Sequence, residues 1–209
     1  RTPDGRLRVY LTFLVGPPTA TPGQRTAAVR LQVERDGRST SYATSAEVDE
    51  ASVLASAPDL QIGASRVRLE GLTYRVTLAL DGPERVGRSS TMTGEIVLDA
   101  APGKSLPPTA IRGANGWVSG YVVPVLSGRM RGTLNLGSES LTFDDASGYH
   151  DHNWGFWEGV SWQWGQVAHD DLSIVYGRVF PPGDVADPGR VPGFLTVLGR
   201  EGPLGLSTD

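Results

Sequence analysis

Val29-Arg30-Leu31-Gln32-Val33-Glu34-Arg35-Asp36-Gly37 alternates apolar with polar residues and then meets an Asp-Gly pair. A period of two places Val29, Leu31 and Val33 on one side of an extended strand. Asp-Gly supplies the two residues that tolerate positive φ in a two-residue hairpin. The same rhythm recurs at Leu7, Val9, Leu11 and Phe13, and again at Tyr74, Val76, Leu78 and Leu80. Further strands are expected near 65–69, 90–98, 117–126, 129–136, 139–144, 161–168, 172–180 and 193–199. Gly16-Pro17-Pro18, Asp81-Gly82-Pro83, Pro102-Gly103, Ser127-Gly128 and Pro181-Pro182-Gly183 supply the turns between them. About a dozen strands at this spacing predict an all-β fold, an antiparallel barrel or a strongly bent sandwich. Only 47–57 reads as a candidate helix.

The bulk properties agree with that class. A chain of 209 residues is long enough for one all-β domain with a proper core. Its 27 glycines and 15 prolines, with 20% charged residues, suit many short strands joined by turns better than a helical bundle. The net charge of −4 and the scatter of Arg66, Arg68 and Arg75 argue against a phosphate track, so no nucleic-acid partner is expected. With no cysteine, disulfides, thiolate metal sites and a Cys nucleophile are excluded, while the compartment stays open between a bacterial cytosol and a periplasm. No run approaches a membrane span and no signal peptide is visible; opening at Arg1 beside a strand, the chain reads as a processed or excised fragment. The Pro/Gly/Asp-rich stretch 181–192 marks a loop or linker, giving a β-domain over 1–180 and, over 181–209, a loop or linker and the start of a truncated second β-domain.

Residues 149–164 hold four of the five tryptophans and two of the three histidines. A fold does not require so many large rings beside an acid and two imidazoles, whereas a pocket that grips an apolar molecule and moves a proton does. On a regular strand Tyr149, Asp151 and Asn153 point one way while His150, His152 and Trp154 point the other. Gly148, Gly155 and Gly159 would permit a bend between the two sets. Among aromatic rings a desolvated Asp151 could stay protonated and act as a general acid, or it could merely cap a turn. Tyr149 could donate a hydrogen bond or fill core. Asn153 could orient water or a carbonyl, or serve a turn.

His150-x-His152 supports three readings. The imidazoles could brace the backbone, handle protons or polarise a ligand, or chelate a metal with Glu158 and His169. Cupin barrels use a similar His-x-His followed by Glu, but the interval to Glu158 is longer here and a second His motif is absent, so no metal and no cofactor are expected. Trp162 and Trp164, two apart, would form one wall. With Trp154, Trp157 and Trp117 they are the candidate substrate-binding rings, able to stabilise a cation or hold a polyene.

Gly148-Tyr149-His150-Asp151-His152-Asn153-Trp154-Gly155, followed by Trp162-Gln163-Trp164-Gly165, resembles the signature of the AttH/CrtC-type lipocalin-like superfamily. That group includes carotenoid 1,2-hydratases (hydroxyneurosporene synthases) and, more distantly, fungal Diels-Alderases and kievitone-hydratase-like proteins. The stretch from Trp117 to Pro124 and the hairpin to Leu136 are also similar to the family. The resemblance implies two consecutive calycin-like β-barrel domains with an apolar cavity near their junction, of which this chain covers the first. It also implies an acid at Asp151. The expected activity is cofactor-independent hydration of a carbon–carbon double bond in a hydrophobic isoprenoid or carotenoid-like substrate, by a hydro-lyase that could reach it through peripheral membrane association. The alternatives are a Diels-Alderase-like pericyclic cyclase acting on a polyene or polyketide, and a non-catalytic lipocalin-like binder of hydrophobic ligands.

Overall fold

A computed structural model describes residues 1–82, 91–169, 171–186 and 193–208. Pro83 of one expected turn, Ser90 at the start of one expected strand and 187–192 of the expected linker lie outside the described residues. The chain is all-β, with an antiparallel sheet that curls into a half-barrel, as a barrel or bent sandwich requires.

In chain order the elements are β1 (Leu7–Pro18), β2 (Gln24–Arg35), β3 (Arg38–Asp49), α1 (Glu50–Ser56), β4 (Leu60–Ile62), β5 (Ser65–Glu70), β6 (Thr73–Asp81) and β7 (Thr91–Ala100). Then follow β8 (Leu106–Arg112), a 3-10 turn (Ala114–Gly116), β9 (Val118–Leu136), β10 (Glu139–Gly155), β11 (Ser161–Val167), β12 (Ser173–Phe180), β13 (Gly193–Leu198) and β14 (Pro203–Thr208). One sheet runs β1-β2-β3-β6-β7-β9-β10, with β4, β5 and β8 attached, and a four-stranded sheet runs β11-β12-β13-β14. Two compact units result, Arg1–Asp99 with Arg129–Ser147, and Ala100–Gly128 with Gly148–Asp209.

The first unit follows the alternation closely. Asp36 (φ 48°) and Gly37 (φ 76°) form the two-residue turn that sets Leu31 of β2 opposite Tyr42 of β3, while Leu11 of β1 pairs with Leu31 from the other side. Val29, Leu31, Val33, Val76, Leu78, Leu80, Met92, Leu134 and Phe143 are buried, while the intervening residues of β2 and β6 are more exposed. The candidate helix is shorter than 47–57, because β3 runs on to Asp49. There the Asp49 carboxylate accepts the Ser52 N–H at 2.8 Å and starts α1.

Ser127-Gly128 is not a turn. Both residues lie inside the 19-residue β9, where Ser127 C=O accepts the Ala101 N–H at 2.9 Å. Glycine permits a turn without requiring one, and here Gly128 stays out of the positive-φ region. The reversal falls at Gly137 (φ 70°), and β10 continues through Gly148 with an irregularity at Asp145 (φ 59°).

In the second unit, Leu106, Val123, Leu126, Val175 and Leu198 make one apolar cluster, and Trp117, Val160, Val179 and Val185 another. Strands β13 and β14 extend the sheet begun by β11 and β12, so 193–208 pairs with the segment before Pro181. The division by compactness therefore differs from the compositional division at residue 180. Lys104 is 5% exposed, and its ammonium donates to Gly199 O at 2.6 Å and to Ser173 Oγ at 3.4 Å.

Candidate functional site

Residues 149–154 of β10 are extended, so the alternation expected for them is kept. Tyr149 and Asn153 share a strand face with the Asp151 carboxyl, and both favour its charged form. His152 and Trp154 occupy the other face, their rings stacked 5.9 Å apart at 20°. The Trp154 indole lies against Gly120, where a Cβ would come within 1.9 Å of Cε2; only a glycine fits. No bend brings the two faces together.

The Asp151 face continues across strands of the second unit. The Tyr149 hydroxyl lies 2.8 Å from the Tyr121 hydroxyl on β9, and Trp164 Nε1–H on β11 donates to Tyr121 Oη at 2.6 Å. The Tyr149 and Trp164 rings are 5.2 Å apart and tilted by 57°. Phe194 of β13 closes the group, 5.6 Å from Tyr121. It sits over Gly177, whose missing Cβ would otherwise lie 2.6 Å from Cε1 of Phe194. The result is a polar chain, Trp164–Tyr121–Tyr149–Asp151–Asn153, within an aromatic setting.

Burial sets the charges. Desolvation pushes the Asp151 carboxyl above the usual carboxylate range, against the donors Tyr149 and Asn153 and the nearby His152, which favour its charged form. Desolvation likewise raises the Tyr121 phenol to about 12 and the Tyr149 phenol further, so both stay neutral hydroxyls near pH 7. It lowers His150 to about 4, helped by His152, and leaves that imidazole neutral. A protonatable acid and two neutral hydroxyls can pass a proton; a neutral His150 cannot be the donor at pH 7.

The five tryptophans do not form one wall. Trp117 is buried with Val160, Val179 and Val185, and Trp157 packs on that cluster with its Nε1–H donated to Trp154 O at 3.1 Å. Trp162 meets Trp157 edge-on at 6.1 Å and is 63% exposed. Trp164, 38% exposed, is the tryptophan joined to the Asp151 chain, and Trp154 lies on the opposite face of β10. Of the remaining candidates, Glu158 is exposed in a turn, and His169 is held in another turn, its Nδ1 accepting the Asp171 N–H at 3.4 Å. Among the described residues no three His, Asp or Glu side chains converge as a metal's ligands would.

Sequence reasoning missed Tyr121 and Phe194 as site members. A hydroxyl-bearing ring on the apolar Ser119, Tyr121, Val123 face was the available signal for Tyr121. Among the described residues of this unit, three buried polar atoms, Ser119 Oγ, Gln166 Oε1 and Thr196 Oγ1, have no protein partner. Ser119 stands two residues from Tyr121 on the same strand face, so an unpaired hydroxyl lies beside the chain.

Compared with protein-family models, with curated protein sequences and with solved structures, the chain matches none.

Proposed function

We propose that this protein adds water to a carbon–carbon double bond of a hydrophobic, isoprenoid-like substrate without a cofactor, with Asp151 as the acid. The reading rests on one observation: a carboxyl pushed up by burial beside Tyr149, whose hydroxyl joins the Tyr121 and Trp164 aromatic group. In the first step the Asp151 O–H bond breaks and a C–H bond forms at the less substituted alkene carbon, leaving a tertiary cation. The faces of Trp164 and Tyr149 lower the energy of that charge. A water molecule then forms the C–O bond and returns a proton to the Asp151 carboxylate, so acid and charge are both restored. The resemblance to carotenoid hydratases over 148–155 and 162–165 points to the same chemistry.

Incubation with acyclic carotenoids in ¹⁸O-labelled water is the test. Labelled tertiary alcohol is expected from the wild type, with a loss of at least about 100-fold in Asp151→Asn, the usual contribution of a general acid. Folded protein that yields no labelled alcohol would refute hydration. A cyclised, unlabelled product that survives Asp151→Asn would establish pericyclic cyclisation instead, and polyene quenching of tryptophan fluorescence without any product would establish a carrier.

A further inference from the structure

The hydroxyl chain has a direction, and this inference rests on Asp151 being the acid of the proposed reaction. Tyr149 has one hydroxyl hydrogen and two acceptors in reach, Tyr121 Oη and the Asp151 carboxylate. If Tyr149 donates to Tyr121, the Tyr121 oxygen receives two donors, its own hydrogen has no partner in the chain, and Asp151 loses a donor. If Tyr121 donates to Tyr149, every hydroxyl both gives and receives one bond and the chain ends on the carboxylate. The indole decides between these. Trp164 Nε1–H can only donate, and at 2.6 Å it already occupies Tyr121 Oη.

We infer that Trp164 is a positioning residue whose N–H favours the order Tyr121 to Tyr149 to Asp151 and thereby sets how readily that carboxyl releases its proton. While Asp151 is protonated, its own O–H points at Tyr149 and the two phenols turn the other way. When the proton leaves, both hydroxyls rotate and deliver a hydrogen bond to the new carboxylate. Trp164 favours this second arrangement. It thus opposes the burial that keeps the acid protonated, through two intervening hydroxyls and without touching Asp151. The sequence had cast the same ring as a wall against a cation.

The titratable groups acting on Asp151 are Tyr149 on its own strand face, His152 from the opposite face of the same strand and, through Tyr149, Tyr121 from β9. Their contribution is read directly by carbon-13 NMR of the Asp151 carboxyl across pH, in the whole unliganded chain. Replacing Trp164 by benzothienylalanine keeps the bicyclic ring and removes the N–H; Trp164→Phe is a second variant. Each is expected to move the Asp151 midpoint up by about 0.3 to 0.5 of a pH unit, the size of cooperative strengthening along a chain. Tyr149→Phe should move it up by about one unit or more, the loss of a hydrogen bond to a charged group. In a Tyr121→Phe background the Trp164 effect should vanish, because the link is cut. An unchanged midpoint in the benzothienylalanine protein, or a shift of equal size with Tyr121 already replaced, would overturn the inference. The readout needs no turnover: a directional chain in a protein that makes no labelled alcohol would refute hydration and leave Trp164 in its role.

Discussion

The two compact units treat their acids in opposite ways. Among the described residues of the first, the displaced carboxyls all lie below the ordinary range: Asp4 beside Thr2 and the Arg6 N–H, Asp49 capping α1 through Ser52, and Asp99 between Thr73 and Arg131. Among those of the second, the displaced carboxyl, Asp151, lies above it. Asp4, Asp49 and Asp99 are solvated and accept hydrogen bonds, which favours the anion, whereas Asp151 is desolvated beyond what its donors recover. The same contrast runs through the cores. Among the described residues, the first unit buries Leu31, Leu78, Met92, Leu134 and Phe143 with one hydrogen-bonded polar residue, Ser65, whereas the second buries Lys104 and three polar atoms without a protein partner. Buried polarity costs stability and is retained where it serves chemistry. By that criterion the proposed chemistry belongs to the second unit and the first serves as its scaffold.

The largest expected effect belongs to the scaffold. Phe143 is fully buried in β10, and Phe143→Ala should cost about 3–5 kcal/mol in denaturant unfolding. A loss below about 1 kcal/mol would mean that the apolar face of the first unit is not packed as a core.

Next comes pH, through His150. Its folded value, about 4, lies below the ordinary 6.5, so the unfolded chain binds the extra proton between them. The contribution to stability is complete above pH 6.5 and is lost as pH falls through 4, up to roughly 3 kcal/mol. His150→Gln should flatten that limb of the stability profile; an unaltered limb would place His150 in water. Asp151 acts with the opposite sign. With its folded value raised, it stabilises below the ordinary carboxylate range and loses that contribution as pH climbs through the raised value.

Much of the scaffold was legible because alternation and turn chemistry agree at particular places. Val29, Leu31 and Val33 are buried as the period of two demands, and Asp36-Gly37 turns as its φ tolerance allows. Ser127-Gly128 misled because tolerance of a turn is not a demand for one. For the site, the extended strand made the Tyr149, Asp151, Asn153 face legible. The union of Tyr121 with Trp164, 43 residues apart, was not, since it depends on which strands stack. Nor could spacing divide five similar rings into a buried cluster, an exposed ring on its edge, a chain member and a partner of His152.

The smallest expected effect is at Trp162. At 63% exposed, with an edge contact to Trp157, Trp162→Ala should change stability by less than about 1 kcal/mol. It should nonetheless weaken polyene quenching of the remaining tryptophans, as loss of an exposed binding ring would. Full retention of quenching would remove Trp162 from the ligand surface and leave Trp164 as its aromatic wall.

The contrast between the units stands or falls on Asp151 in the unmodified protein. Its carboxyl titration, followed by carbon-13 NMR with Asp49 as the internal reference from the first unit, is expected to give a midpoint above the ordinary carboxylate range for Asp151 and below it for Asp49. An Asp151 midpoint at or below that of Asp49 would show a solvated, ionised carboxylate, and would contradict its role as proton donor.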